Sequence, residues 1–297
     1  MKLRANGIDI EVEDSGGAGR PAVLLSMGLG MQLIAWPPAL VQALVDAGFR
    51  VIRHDNRDIG LSQHFDELGT PNLLWAMLKH RMGLAVKAPY GLPDMARDAV
   101  GVLDALGVQR AHVVGVSMGG MIAQRVALQA PERVASLTSI MSSSGARGLP
   151  EASAQVRKVL FSAPAGTGTD AILNHYVRLY RTIGSPAFPI PEDELRQRIG
   201  VAVQRSFHPV GTLRQMMAIA ADSDVRAAML PRVQAPTLVL HGHDDPLVPY
   251  PCGEDTARRI PGARMVGIPG MGHDLAPGVV ERLLQHLPTF LAQHAGA

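Results

Sequence analysis

The chain has 297 residues, 47% hydrophobic and 18% charged, which fits one large α/β domain with an insertion, or two domains. A formal net charge of +2, with Lys and Arg scattered along the chain, leaves no basic footprint for nucleic acid or a membrane surface. The single cysteine, Cys252, excludes an intrachain disulfide; with no apolar run at the N-terminus and no apolar stretch of membrane length, a cytoplasmic protein is expected.

In chain order, residues 3–14 alternate around Asn6-Gly7, a hairpin signal. Ala22-Val23-Leu24-Leu25 reads as a buried strand and runs into Ser26-Met27-Gly28-Leu29-Gly30. Residues 36–47 carry apolar side chains at helical spacing, with Gly48 as the stop. Phe49-Arg50-Val51-Ile52 is the next strand and ends in the polar loop His54-Asp55-Asn56-Arg57-Asp58-Ile59-Gly60. Residues 65–92 have no clear pattern beyond a short helix expected over 73–78. An amphipathic helix follows over 94–106, closed by Gly107. After a central strand come a helix over 118–130 and a strand over 134–141.

From 142 to about 223 the alternation of strand and helix gives way to helical segments separated by Ser-, Gly- and Pro-rich breaks. It resumes with a strand over 236–240, a helix over 252–260, a strand over 264–268 and one final helix over 279–293. There are no internal repeats. Such alternation implies a mainly parallel sheet with helices on both faces. The division expected is a core of 1–141 and 224–297, with 142–223 as a helical cap over the C-terminal strand ends, where ligands bind in such sheets.

The stretch that carries chemistry is His112-Val113-Val114-Gly115-Val116-Ser117-Met118-Gly119-Gly120. An apolar β-branched run, then Gly-x-Ser-x-Gly, then a helical pattern, describes a sharp strand-to-helix turn with the serine at its apex. Side chains at positions 115 and 119 would collide, so glycine is required at both. Alone, this short motif arises by chance; its partners decide. A serine nucleophile needs a base and an acid that orients the base, each on a loop after a later strand, in the order acid then His. His241-Gly242-His243-Asp244-Asp245-Pro246 and Gly270-Met271-Gly272-His273 occupy those places. His273 is the expected base. Asp245 is the expected acid because Pro246 fixes the chain after it; Asp244 is the alternative. The oxyanion hole would combine the Leu29 and Met118 amides. Met27, Trp36 and Met141 are the expected substrate contacts, in an adaptable apolar pocket.

These residues resemble the α/β-hydrolase family over nearly the whole chain. The resemblance rests on Gly115-x-Ser117-x-Gly119, Gly242-x-x-Asp245-x-x-Val248-Pro249, Gly272-His273 and Asp55-Asn56-Arg57-Asp58-Ile59-Gly60-Leu61-Ser62. Together with Met27-Gly28 and Gly270-Met271-Gly272-His273, the last stretch is most similar to the carboxylesterase branch that includes aclacinomycin methylesterase. The resemblance implies a Ser117–His273–Asp245 triad, oxyanion amides at Leu29 and Met118, a helical cap, no cofactor or metal, and a small-molecule ester as substrate. Many family members have His-Gly in place of Met27-Gly28 and Arg-Gly in place of Arg57-Asp58; the methylesterase-like branch shares both departures. Arg57 and Asp58 are expected to tie down their loop. The expected activity is hydrolysis of small to medium, mostly apolar esters. Rivals on the same triad are perhydrolases and C–C or lactone hydrolases, and from another class a small-molecule receptor.

Overall fold

The computed structural model describes residues 1–295 except 74, 76, 77, 80, 81, 83 and 85. The helix expected over 73–78 lies in part outside the described residues. Strands β1 (Lys2–Ala5), β2 (Ile8–Asp14), β3 (Ala22–Ser26), β4 (Arg50–His54), β5 (Ala111–Val116), β6 (Val134–Ile140), β7 (Thr237–Gly242) and β8 (Arg264–Ile268) form one sheet in the order β1-β2-β4-β3-β5-β6-β7-β8. β1, β2 and β4 pair antiparallel, and the pairs from β4 onward are parallel. The hairpin closes at the Ala5–Ile8 pair, with Asn6 and Gly7 at φ 49° and 77°, as a tight two-residue turn demands.

β3, β5, β6 and β7 are buried along their whole length, so their apolar runs need no alternation. Helices α2 (Leu92–Ala105) and α3 (Met118–Gln129) cover one face of the sheet; α1 (Pro38–Asp46), α9 (Pro277–Leu284) and α10 (Leu287–Gln293) cover the other. The single helix expected at the C-terminus is therefore two. Pro288 has no N–H to continue the ladder, and the chain restarts a helix with that proline in its first turn.

Between β6 and β7 the chain makes four helices, α4 (Ala154–Leu160), α5 (Thr169–Ile183), α6 (Glu192–Arg205) and α7 (Pro209–Met229). Position 223, read as the end of the insertion, falls inside α7. On either side of it the helix is tied to the core: Asp222 pairs with Arg125 of α3 and with Arg226 (2.5 Å), and Arg226 donates to Gln124 (2.9 Å), all buried. α8 (Tyr250–Arg259) links β7 to β8. Among the described residues no helix is long and apolar enough to cross a membrane.

Candidate active site

The C-terminal end of β5 delivers Ser117 at φ 56° and ψ −120°, directly before the first turn of α3. The strand ends there at the positive φ, although Ser117 N–H still donates to Ile140 of the neighbouring strand (2.9 Å); its carbonyl receives the Ser142 hydroxyl (2.7 Å). Glycine is required on both sides, because a side chain at either position would strike backbone. A Cβ at Gly115 would lie 2.0 Å from the Gly119 carbonyl oxygen, and one at Gly119 would lie 2.0 Å from that of Ser26. The helix start is thus pressed against β3 and β5, and its free amides and positive dipole end face the serine.

His273 stands on the loop after β8, with Nε2 3.0 Å from Ser117 Oγ and Nδ1 2.7 Å from Asp245 Oδ2. A carboxylate only accepts, so the network puts the ring proton on Nδ1 and leaves Nε2 to accept from the serine hydroxyl. Asp245 is buried, and its other oxygen receives the Leu247 and Val248 amides (2.9 and 2.8 Å). Asp244 points elsewhere and caps the Gly270 amide (2.8 Å). The structure therefore brings Ser117, His273 and Asp245 together and leaves Asp244 out. Buried His241 donates from Nε2 to the Val248 carbonyl (2.8 Å) and shapes the acid loop; burial lowers its pKa.

The turn after β3 lies over the serine. A Cβ on Gly28 would come within 3.2 Å of Ser117 Cβ, so the backbone carrying the Leu29 amide passes close beside the Ser117 side chain. Among the described residues neither the Leu29 nor the Met118 amide donates to a protein acceptor. Both are free to receive charge.

Above them opens a cavity of about 720 Å³, walled by the core and by the inserted helices. Met27 and Met141 line it, as does Leu29. Trp36 does not. Its indole is fully buried in the core beneath α1, and only its neighbours Ala35 and Pro37 reach the cavity. Helix α1 begins at Pro38, so Trp36 sits before the helix and turns inward as a packing residue. The Met118 side chain likewise points into the core between α2 and α3.

What the sequence did not disclose is how the insertion grips the loops around Ser117 and His273. Ile183 accepts the His273 amide (2.7 Å), and Ser185 Oγ accepts the Gly272 amide (2.9 Å) while donating to Asp274 (2.5 Å). Gln32 donates to the carbonyls of Ala202 and Ser206 (2.7 and 2.8 Å). Arg205 donates to Gln32 and to Asp55 (2.6 and 2.7 Å). Asp58 forms a fully buried two-bond pair with Arg214 of α7, both bonds 2.8 Å. Burial would raise the Asp58 pKa, but the guanidinium outweighs it and the net shift is downward. Arg57 pairs in the same way with Asp98 of α2 (2.6 Å). No local motif marks these partners, because each pair joins residues 41 or more positions apart.

One group of metal-ligating side chains comes together among the described residues: His64, Asp66 and His208. The two imidazoles stack at 3.9 Å with planes 1° apart, so their in-plane lone pairs run parallel and do not converge on an ion. His208 Nε2 meets Asp66 instead (2.8 Å).

A mostly parallel sheet with this strand order, a serine at the β5–α3 elbow and a helical insertion after β6 define the α/β-hydrolase fold. The alpha/beta hydrolase fold family matches residues 21–276, and the chain belongs to it. It is 34% identical over 294 residues to the rhodomycin D methylesterase DauP of Streptomyces sp. strain C5, covering 91% of each chain. It is 33% identical over 294 residues to the rhodomycin D methylesterase DnrP of Streptomyces peucetius, again over 91% of each. Among solved structures, the meta-cleavage product hydrolase of Pseudomonas fluorescens IP01 shares the fold, with a TM-score of 0.74, 19% identity and coverage of 99% of this chain and 97% of that one.

Proposed function

We infer that this protein is a serine carboxylic-ester hydrolase that works through an acyl-enzyme. The observation that carries the reading is the continuous relay from Ser117 Oγ through His273 to Asp245, at 3.0 and 2.7 Å, at the floor of an apolar cavity. His273 Nε2 takes the hydroxyl proton as Ser117 attacks the ester carbonyl, and Asp245 stabilises the imidazolium that forms. Charge on the carbonyl oxygen is met by the Leu29 and Met118 amides, an effect worth roughly 3–4 kcal/mol per donor. His273 returns the proton to the departing alcohol, and water activated by the same nitrogen then releases the acid.

The relatives that are methylesterases favour a small alcohol and a larger acyl part as the substrate. The cavity agrees in size, since about 720 Å³ falls in the range of pockets for drug-sized molecules. Hydrolysis of p-nitrophenyl esters from acetate to decanoate tests the reading, alongside methyl esters of bulky apolar acids. Ser117→Ala and His273→Ala are expected to lower kcat by about 10⁶, and Asp245→Asn by about 10⁴ through the wrong tautomer. Full turnover in Ser117→Ala, or no hydrolysis of any ester by the parent, overturns the reading.

A further inference from the structure

Helix α5 forms one wall of the cavity, and its last residue, Ile183, receives the His273 amide (2.7 Å). Tyr180 and Tyr176 precede Ile183 on the same helix. At 1.5 Å per residue their backbones lie about 4.5 and about 10.5 Å back along the axis. A spacing of four puts the two rings on one face, and both line the cavity. The wall therefore carries two phenols in a row that leads away from His273.

Neither phenol is satisfied by the protein. Tyr180 Oη meets the Met31 thioether, a weak acceptor. Tyr176 Oη has no hydrogen-bond partner among the described residues, and its ring stands edge-on to Phe207 with centroids 6.3 Å apart. Gln32 and Asp274, on the same cavity wall, are by contrast engaged, the first by Ala202, Ser206 and Arg205 and the second by Ser185. A hydroxyl that gives up water without gaining a partner costs stability, and phenylalanine would fill the same space without that cost. Burial raises the pKa of both phenols, so each keeps its proton and offers a donor. A carbonyl oxygen has two lone pairs and brings no donor of its own, which matches two donors facing an apolar cavity. A hydroxyl on the ligand would bring a further proton that needs an acceptor.

We propose that Tyr176 and Tyr180 are specificity-determining residues that donate to a carbonyl oxygen on the acyl part of the substrate, so that the favoured esters are those of oxo acids. This carbonyl is a second one, remote from the ester carbonyl that Ser117 attacks. The proposal rests on the serine-esterase reading above.

The test compares the parent with Tyr176→Phe, Tyr180→Phe and the double variant, which lose the phenol oxygens and nothing else. The substrates are p-nitrophenyl octanoate and the oxo-octanoates with the ketone at each carbon from the fourth to the seventh. In the parent, kcat/KM is expected to favour at least one oxo-octanoate over octanoate by about three- to tenfold, the scale of one hydrogen bond. Each single variant should lose part of that preference and the double variant all of it, with octanoate turnover kept within about twofold. The variants should unfold at or above the parental Tm, since they give up no strong hydrogen bond within the protein. Equal falls on octanoate and the oxo esters overturn the proposal and leave the tyrosines as packing residues. A parent indifferent to every ketone position overturns it too, as does a preference that survives in the double variant. A clear fall in Tm overturns it by showing the hydroxyls already paired. Failure of the underlying reading shows separately, as turnover that survives Ser117→Ala or as no hydrolysis of any ester by the parent.

Discussion

Ser117 and Met141, both on the cavity wall, hold φ at 56° and 41°, a region that costs a side-chain-bearing residue about 1–3 kcal/mol. The strain at Ser117 lifts its hydroxyl off the sheet towards His273, and relaxing it would return the serine to the strand. Ser117→Gly is accordingly expected to raise Tm slightly while removing hydrolysis, which thermal unfolding and an ester assay would show together. Adjacent carboxylates illustrate how fine the selection is. Asp244 Oδ2 holds Gly270 at 2.8 Å and Asp245 Oδ2 holds His273 at 2.7 Å, so Asp244→Asn should keep kcat within about threefold, against the 10⁴ expected for Asp245→Asn. Equal losses from the two would dissolve the assignment. In the sequence it is Pro246 that singles out Asp245, since it freezes the backbone right after it. Trp36 was not legible. A tryptophan near a strand end serves a pocket or a core equally well, and only the start of α1 at Pro38 decides which.

At the level of elements, the strands and the helices flanking them could be read because their patterns are local: buried parallel strands are rich in apolar residues, and Gly48 and Gly107 mark helix ends. The helix break at Pro288 followed a local rule too, masked by the apolar spacing on either side of it. The braces from α5, α6 and α7 could not be read, since charged and amide side chains pair across the chain without any spacing rule. Asp58 and Arg214 are the clearest case. Removing one partner leaves an uncompensated buried charge, so Asp58→Leu should cost about 3–5 kcal/mol of stability. Replacing both, as Asp58→Leu with Arg214→Met, should recover most of that loss. Urea unfolding of the two single variants and the double variant checks this, and additive losses would show that the pair is not coupled.

Across the whole molecule, acid stability is set in part by histidines buried in the sheet. Burial pushes His54 and His112 down to about 4, whereas an unfolded histidine titrates near 6.5. The unfolded chain therefore binds more protons in that interval. The stabilisation is complete above pH 6.5 and is lost as pH falls through 4, about 3 kcal/mol for each ring. His54→Leu should flatten the decline in urea midpoint between pH 6.5 and 4; an unchanged slope would place the titration elsewhere.

The helical insertion has a modest core of its own. Between α5 and α6 the buried apolar residues are Val177, Leu195 and Ile199, with a few partly buried neighbours, against the extensive clusters on both faces of the sheet. Segments with little buried apolar contact open at lower free energy than the rest of a protein. Yet Ile183, Ser185, Gln32's partners and Gln215 hold both the His273 loop and the turn after β3 from this side. Ester turnover should consequently vanish at urea concentrations where most of the circular dichroism, carried by the core, persists. The ceiling on working temperature then belongs to α5 and α6, and raising it calls for larger apolar side chains between those two helices before any change to the sheet.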